Sequence, residues 1–253
     1  MFMSVSEIIS YQYNYSELAG NRVLITGISP VCGLDIAMAF AKHNCSLVLQ
    51  VPNPCPETDA ILQMVAEITP NISAYHDPIT NSERAIRFAQ KAVQTYGGIE
   101  TVINFIPIDY NNLKASLTIE QIETFLHDSM QIANQVTRVT ANRMGLTWFH
   151  GSILNIMRLP KPKSKAEIAL AGVARAALAS MTVLEASNWA EQGVRINAVA
   201  PQNNLTSSTL NSDDCLYTKS DLVKIAVYLA SANSRGLSGY VFSYQDSDIE
   251  YTL

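Results

Sequence analysis

Short apolar runs alternate along the chain with longer segments whose apolar residues recur at helical spacing. The runs at 23–25, 46–51, 72–75, 101–105, 152–157, 195–200 and 240–244 predict strands. The segments 34–43, 57–68, 80–96, 118–144, 165–191 and 220–232 predict helices. Punctuation agrees with this division. Asn44 is placed to end the first helix in the left-handed conformation, Gly97 and Gly98 stop the third, and Gly193 follows the fifth. Thr80 with Glu83, and Thr118 with Gln121, have capping-box spacing. Such alternation predicts an α/β doubly wound parallel sheet of about seven strands, with crossover helices on both faces. No repeat or low-complexity linker divides residues 18–253, so they read as one domain. Residues 1–17 are polar, with Tyr11, Tyr13 and Tyr15 alternating, and read as an N-terminal arm, an extra edge strand or a disordered segment.

Composition narrows the function classes. Nearly half of the 253 residues are hydrophobic (48%), enough for a large core. Lys and Arg total 17 against 22 Asp and Glu, a net charge of -5 that argues against a nucleic-acid groove. Lys161, Lys163 and Lys165 read as a solvated loop. The four cysteines (Cys32, Cys45, Cys55, Cys215) form no C-x-x-C pair, and the four histidines show no metal-ligand spacing. No metal is expected. No leader pattern and no membrane-spanning apolar stretch stand out, so the expectation is a cytoplasmic protein without a membrane partner. The N-x-S/T triplets at Asn14, Asn71 and Asn204 read as chance matches.

The chemistry-bearing segment is Asn21-Arg-Val-Leu-Ile-Thr-Gly-Ile-Ser-Pro-Val-Cys-Gly33: a strand, a tight turn and a helix start. Such a turn serves to bring a pyrophosphate against backbone N–H groups at a helix N-terminus. With its context the chain resembles the short-chain dehydrogenase/reductase (SDR) family, whose fold is Rossmann-like. Leu18 through Gly27 resembles that family's opening, and Ile103-Asn104 the start of its N-N-A-G segment. Ser152-Ile-Leu-Asn-Ile156 resembles its fifth strand, Val194-Arg-Ile-Asn-Ala-Val-Ala-Pro201 its sixth, and Asp221 through Gly239 its closing helix and turn. The resemblance covers residues 18 to 246. It implies a dinucleotide held by Gly27, Ser29, Cys32, Gly33, Asp77, Asn104, Pro201 and Thr206.

The departures fall on the reacting groups. The resemblance implies a Tyr that moves the substrate proton, a Lys four residues later, a Ser that orients the substrate oxygen, and an Asn in a water relay. The matching positions hold Ala171, Arg175, Arg158 and Ser129. No Tyr lies between Tyr110 and Tyr217, so no small change of register restores the proton donor. Reduction of a carbonyl needs a proton for the alkoxide, which Ala171 cannot give, and Arg175 is effectively never deprotonated. Val31 stands where the family has the middle glycine of T-G-x-x-x-G-x-G, and Pro30 removes a donor. Gln50, Val51 and Pro52 occupy the place of the ribose-binding acid. Phe105 and Ile106 replace small residues, and Gln202 replaces a glycine.

These residues predict a non-catalytic SDR-fold protein, acting as subunit, scaffold or ligand-binding regulator, that binds no NAD(P) or binds it weakly. The alternative is an active NAD(P)-dependent oxidoreductase of a small carbonyl or alcohol, with relocated groups such as Arg158, Arg175 or Tyr217. A third reading is a dinucleotide sensor in which Cys32 is a thiol switch. Ala171, Gly172, Ala174, Ala176, Ala177, Ala179 and Ser180 on the fifth helix permit close helix packing, as does core packing within one chain. The family resemblance implies a homodimer or homotetramer through the fourth and fifth helices, or a hetero-complex with an active SDR.

Overall fold

The computed structural model describes residues 2–4, 15–30, 32–110, 118–147, 150–159, 162, 164–201 and 219–244. Among them are eight strands: β1 (Phe2–Ser4), β2 (Arg22–Thr26), β3 (Ser46–Gln50), β4 (Ile72–Tyr75), β5 (Thr101–Pro107), β6 (Ser152–Arg158), β7 (Arg195–Pro201) and β8 (Val241–Tyr244). Six α-helices alternate with them: α1 (Leu34–Lys42), α2 (Pro56–Ile68), α3 (Ser82–Thr95), α4 (Ile119–Leu146), α5 (Lys165–Trp189) and α6 (Lys219–Ala230). The strands form one sheet in the order β1-β8-β7-β6-β5-β2-β3-β4, and every pairing is parallel. Seven strands answer the hydrophobic runs. The eighth is Phe2–Ser4, which lies beside Val241–Ser243 at the edge. Of the three readings of the N-terminal segment, these residues take that of an extra edge strand.

The helices cover both faces because the strands alternate. On β2, Val23 and Ile25 join the core beneath α1 and α6, whereas Leu24 joins the core beneath α3 and α4. On β5, Ile103 and Phe105 face the first side, and Ile106 faces a third cluster under α4 and α5. The chain builds β3 and β4 on one side of β2, then returns to lay β5 on the other. That reversal leaves a crevice outside the carboxyl ends of β2 and β5.

Local signals explain the helix ends. Asn44 has φ 58 after α1, as its place in the sequence predicts. Thr118 and Gln121 form the expected reciprocal cap of α4. The capping of α3 differs from expectation. Asn81, not Thr80, caps it, accepting from the Arg84 N–H at 2.9 Å. Asn outranks Thr at this position and stands one residue nearer the first turn. At the amino edge Arg22 grips Glu100. Its backbone N–H and its Nε reach the carboxylate at 2.7 and 3.0 Å, and this ties β2 to the residue before β5.

α5 corrects the expectation that no stretch is apolar enough to span a bilayer. By length and composition it is. Its Ile, Leu and Val residues carry most of that apolarity, and here the helix lies along the sheet, with Leu170, Ala171, Ala174 and Leu178 in the core. Its expected stripe of small residues divides. Ala171 and Ala174 face the chain's own core, while Ala176 and Ser180 face outward.

Candidate functional site at the carboxyl edge of the sheet

The crevice begins at Gly27, directly after β2, where φ is 74. A Cβ there would stand 3.1 Å from both the Cβ and the carbonyl oxygen of Phe105. Gly33, with φ 91, caps the start of α1, and a Cβ on it would stand 2.9 Å from Phe105 Cε2 and 3.1 Å from Ile28 Cγ1. Phe105 is 4% exposed. Gly27 therefore makes room for the backbone and Cβ of Phe105, and Gly33 for its ring.

The turn between them folds on itself. Ser29 N–H donates to the Cys32 carbonyl at 2.9 Å, and Cys32 N–H donates back to Ser29 at 3.0 Å. Ile28 N–H donates to the Gln50 carbonyl at 3.0 Å, and Gly27 N–H to Gln50 Oε1 at 2.8 Å. Four N–H groups of this turn are thus engaged with protein oxygens. Pro30 contributes none. Val31 lies outside the described residues. As folded, this turn does not fit a pyrophosphate.

Gln50 matters more than its sequence position suggests. It is buried, and its Nε2 donates to the Asp77 carbonyl at 3.3 Å while its Oε1 holds Gly27. It ties the turn to the segment after β4. Asp77 itself is exposed. The sequence marks Gln50 only as the absence of an acid; an amide that donates and accepts at once is the signal that identifies a bridge. Asn104, a predicted cofactor residue, is fully buried. It accepts from Thr26 Oγ1 at 3.1 Å and donates to Thr137 Oγ1 at 3.2 Å and Asn155 Oδ1 at 3.0 Å, fastening β2, α4 and β6. Pro201 is buried at the end of β7, in register with Tyr244 of β8. Thr206, Gln202, Tyr217, Lys161 and Lys163 lie outside the described residues.

The four positions matched to catalytic residues lie apart in their contacts. Arg158, the last residue of β6, reaches past β5 to donate from Nη1 to Ser29 Oγ at 3.3 Å. Its Nε is buried without a hydrogen-bond partner among the described residues. Arg175 turns the other way and donates to Ser243 Oγ on β8. Ala171 is 1% exposed in a cluster with Ile106, Met157, Leu159 and Leu170. Ser129 is half-buried on α4. The structure thus brings Arg158 to Ser29, two residues singled out separately, and gives Arg158 and Arg175 different partners.

Sequence reading passed over Tyr110 except as a boundary. Its ring stacks on Phe125 at 6.3 Å, and its hydroxyl is buried without a hydrogen-bond partner among the described residues. Burial first, then the Glu167 charge, pushes its pKa up, so it stays neutral. Between α1, α2 and β3, a small crevice lined by Ile28, Ser29, Leu34, Val51 and Leu62 has room for about 10 Å³, about one water. Cys32 is half-buried and unbridged.

A parallel sheet with a glycine turn and a helix start at its point of strand reversal defines the dinucleotide-binding class of α/β folds. Residues 30–245 match the family model described as Enoyl-(Acyl carrier protein) reductase. The chain is 20% identical over 205 residues to glucose 1-dehydrogenase 2 of Bacillus subtilis, covering 78% of this chain and 77% of that one. It is 25% identical over 239 residues to gluconate 5-dehydrogenase of Gluconobacter oxydans, covering 88% and 93%. A short-chain type dehydrogenase/reductase from Mycobacterium marinum superposes with a TM-score of 0.75 at 18% identity, over 96% of this chain and 98% of that one. The chain belongs to the short-chain dehydrogenase/reductase family, a family of oxidoreductases.

Proposed function

We propose that this chain is a non-catalytic member of its family, a subunit or scaffold whose inherited dinucleotide crevice is filled by its own side chains. One observation carries the reading. Phe105 packs on Gly27 and Gly33 while the N–H groups of Gly27, Ile28, Ser29 and Cys32 hold protein oxygens. A pyrophosphate would have to displace a buried aromatic ring and break several hydrogen bonds before it gained its own. Ala171, in the place of the proton donor, supports the same reading.

The direct test is the thermal midpoint of the purified protein with and without millimolar NAD(H) and NADP(H). A ligand that binds only the folded state raises the midpoint. No shift is the expected result. A clear shift with either cofactor, followed by turnover of a carbonyl or alcohol, overturns the proposal.

The second reading is an active oxidoreductase with relocated groups. It is favoured by kinship with glucose and gluconate dehydrogenases and by two arginines at the carboxyl edge. In that case, removal of Arg158 or Arg175 abolishes turnover.

Assembly is part of the proposal. Val173, Val183 and Leu184 expose 38%, 53% and 59% of their surface on α5. With Ala176 and Ser180 they present an apolar, close-packing face suited to a second copy or to an active family member, as a dimer or tetramer through α4 and α5. The cysteines among the described residues are free, which suits a reducing cytoplasm.

A further inference from the structure

A second cavity lies at the opposite edge of the sheet from the inherited crevice. Its volume is about 800 Å³. It opens where the C-terminal end of α5 meets the segments that lead into β6, β7 and β8. Ala186, Ala190 and Val194 give it an apolar floor, and Arg195, Arg235 and His150 stand on its walls. Among the described residues, no acidic side chain lines it.

The charge on those walls is uncompensated by carboxylates. Arg195 donates from Nη1 to the Leu229 carbonyl at 2.9 Å and to Ser234 O and Oγ at 3.1 and 2.6 Å, and from Nη2 to the Ser231 carbonyl at 3.3 Å. Every one of these acceptors is neutral. The carbonyls at the end of α6 offset part of one charge. Among the described residues, neither Arg195 nor Arg235 forms an ion pair. Burial first, then the nearby charge of Arg235, brings the Arg195 guanidinium down to about 10. Gly193 brings the third group in. The His150 ring sits with Nδ1 2.7 Å from the point a Cβ on Gly193 would occupy, so only glycine lets the imidazole reach this wall.

A cavity of this size lies within the usual range for small-molecule sites, about 300–1,000 Å³. Its lining divides into an apolar floor and a cationic rim without counter-charge. We propose that it binds an amphiphilic anion: a carboxylate or phosphate monoester on an unbranched apolar body. Arg235, which is exposed, closes on the anion; Arg195, fixed by its four bonds, supplies standing positive potential; and the body lies along Ala186, Ala190 and Val194. This site does not depend on the fate of the dinucleotide crevice.

The experiment is isothermal titration of the full chain with decanoate and with decyl phosphate, beside decanol and inorganic phosphate as half-ligands. Saturable binding of one or both amphiphilic anions is expected, at least ten-fold tighter than either half-ligand. The arm that binds more tightly identifies the head group. Arg235→Gln is expected to weaken binding about ten-fold, and Ala190→Trp to abolish it by filling the floor. Both positions are exposed, so the fold tolerates either change. Equal binding of decanol removes the anion from the proposal, and equal binding of phosphate removes the apolar body. Binding unchanged in both variants places the ligand elsewhere, and no saturation at millimolar concentration overturns the site outright.

Discussion

Phe105 Cε2 stands 2.9 Å from the point where a side chain on Gly33 would begin. The ring of Phe105 therefore occupies the space that a side chain on Gly33 would need. Alanine at Gly33 would carry two costs, the strained φ of 91 and collision with the ring. Gly33→Ala is expected to lose more than about 2 kcal/mol of stability. Phe105→Ala is expected to lose about 3–5 kcal/mol. The double variant is expected to fall short of their sum by at least about 0.5 kcal/mol, because the collision partner is gone. Urea denaturation of the four proteins measures this, and strict additivity would deny the contact.

Among the described residues, Arg158 has a buried Nε without a hydrogen-bond partner and one bond to Ser29. A charge held this way adds little to folding, because its desolvation offsets what it gains. Arg158→Met, which keeps the apolar length, is expected to leave stability unchanged within about 1 kcal/mol or to raise it. A drop of more than about 3 kcal/mol in a thermal or urea melt would make Arg158 a structural strut instead.

Asn104 joins three elements through one amide. Asn104→Leu leaves Thr26, Thr137 and Asn155 without this partner in a site closed to water. The expected loss is about 2–4 kcal/mol, from several buried polar groups at about 1–3 kcal/mol each. Urea denaturation measures it. A loss below about 1 kcal/mol would show that the remaining groups re-pair among themselves.

Cys45 donates its S–H to the Leu18 carbonyl at 3.2 Å and is fully buried. Burial first, then the Glu100 charge, raises its thiol from 9.0 to about 12. The folded state therefore holds this proton in a range where the unfolded chain releases it. The corresponding stability is complete below pH 9 and is lost as pH rises from there toward 12. Cys45→Ala is expected to flatten the decline of stability between pH 9 and 11, and native Cys45 to react with iodoacetamide far more slowly than Cys55. Equal labelling of the two would contradict both statements.

The exposed face of α5 is tested by charge. Val173→Glu with Leu184→Glu is expected to shift the protein to a single-chain mass in analytical ultracentrifugation, with its melting midpoint measured alongside. Leu184 is more than half exposed in the isolated chain and Val173 more than a third. A single-chain mass for the unaltered protein at micromolar concentration would exclude self-assembly by this face.

The sheet was legible in the sequence because each inner strand is a short apolar run bounded by polar punctuation, a pattern that needs no tertiary information. The edge strand Phe2–Ser4 was legible only as one of three readings, since so short a run gains its identity from Val241–Ser243 alone. At the candidate site, the sequence exposed the changed residue types at 50, 105, 158 and 171. It did not show their consequences. That Gly27 and Gly33 accommodate Phe105, and that Gln50 caps Gly27, depends on side chains brought together across 23 to 78 positions. The α3 cap was misplaced by one residue because Thr80 and Asn81 are both good capping residues, and only the backbone chooses between them.

Placing Phe2–Ser4 beside Val241–Tyr244 also sets a timetable. Ribosomes add about 5–20 residues each second, so the first strand waits roughly 12–50 s for its partner to be made. During that interval its N–H and C=O groups have no place in the sheet. The neighbouring strands can assemble as they emerge, but the outermost pairing waits for Val241–Tyr244 to be made. The sheet's outermost seam closes only when a segment more than 230 positions further along the chain exists.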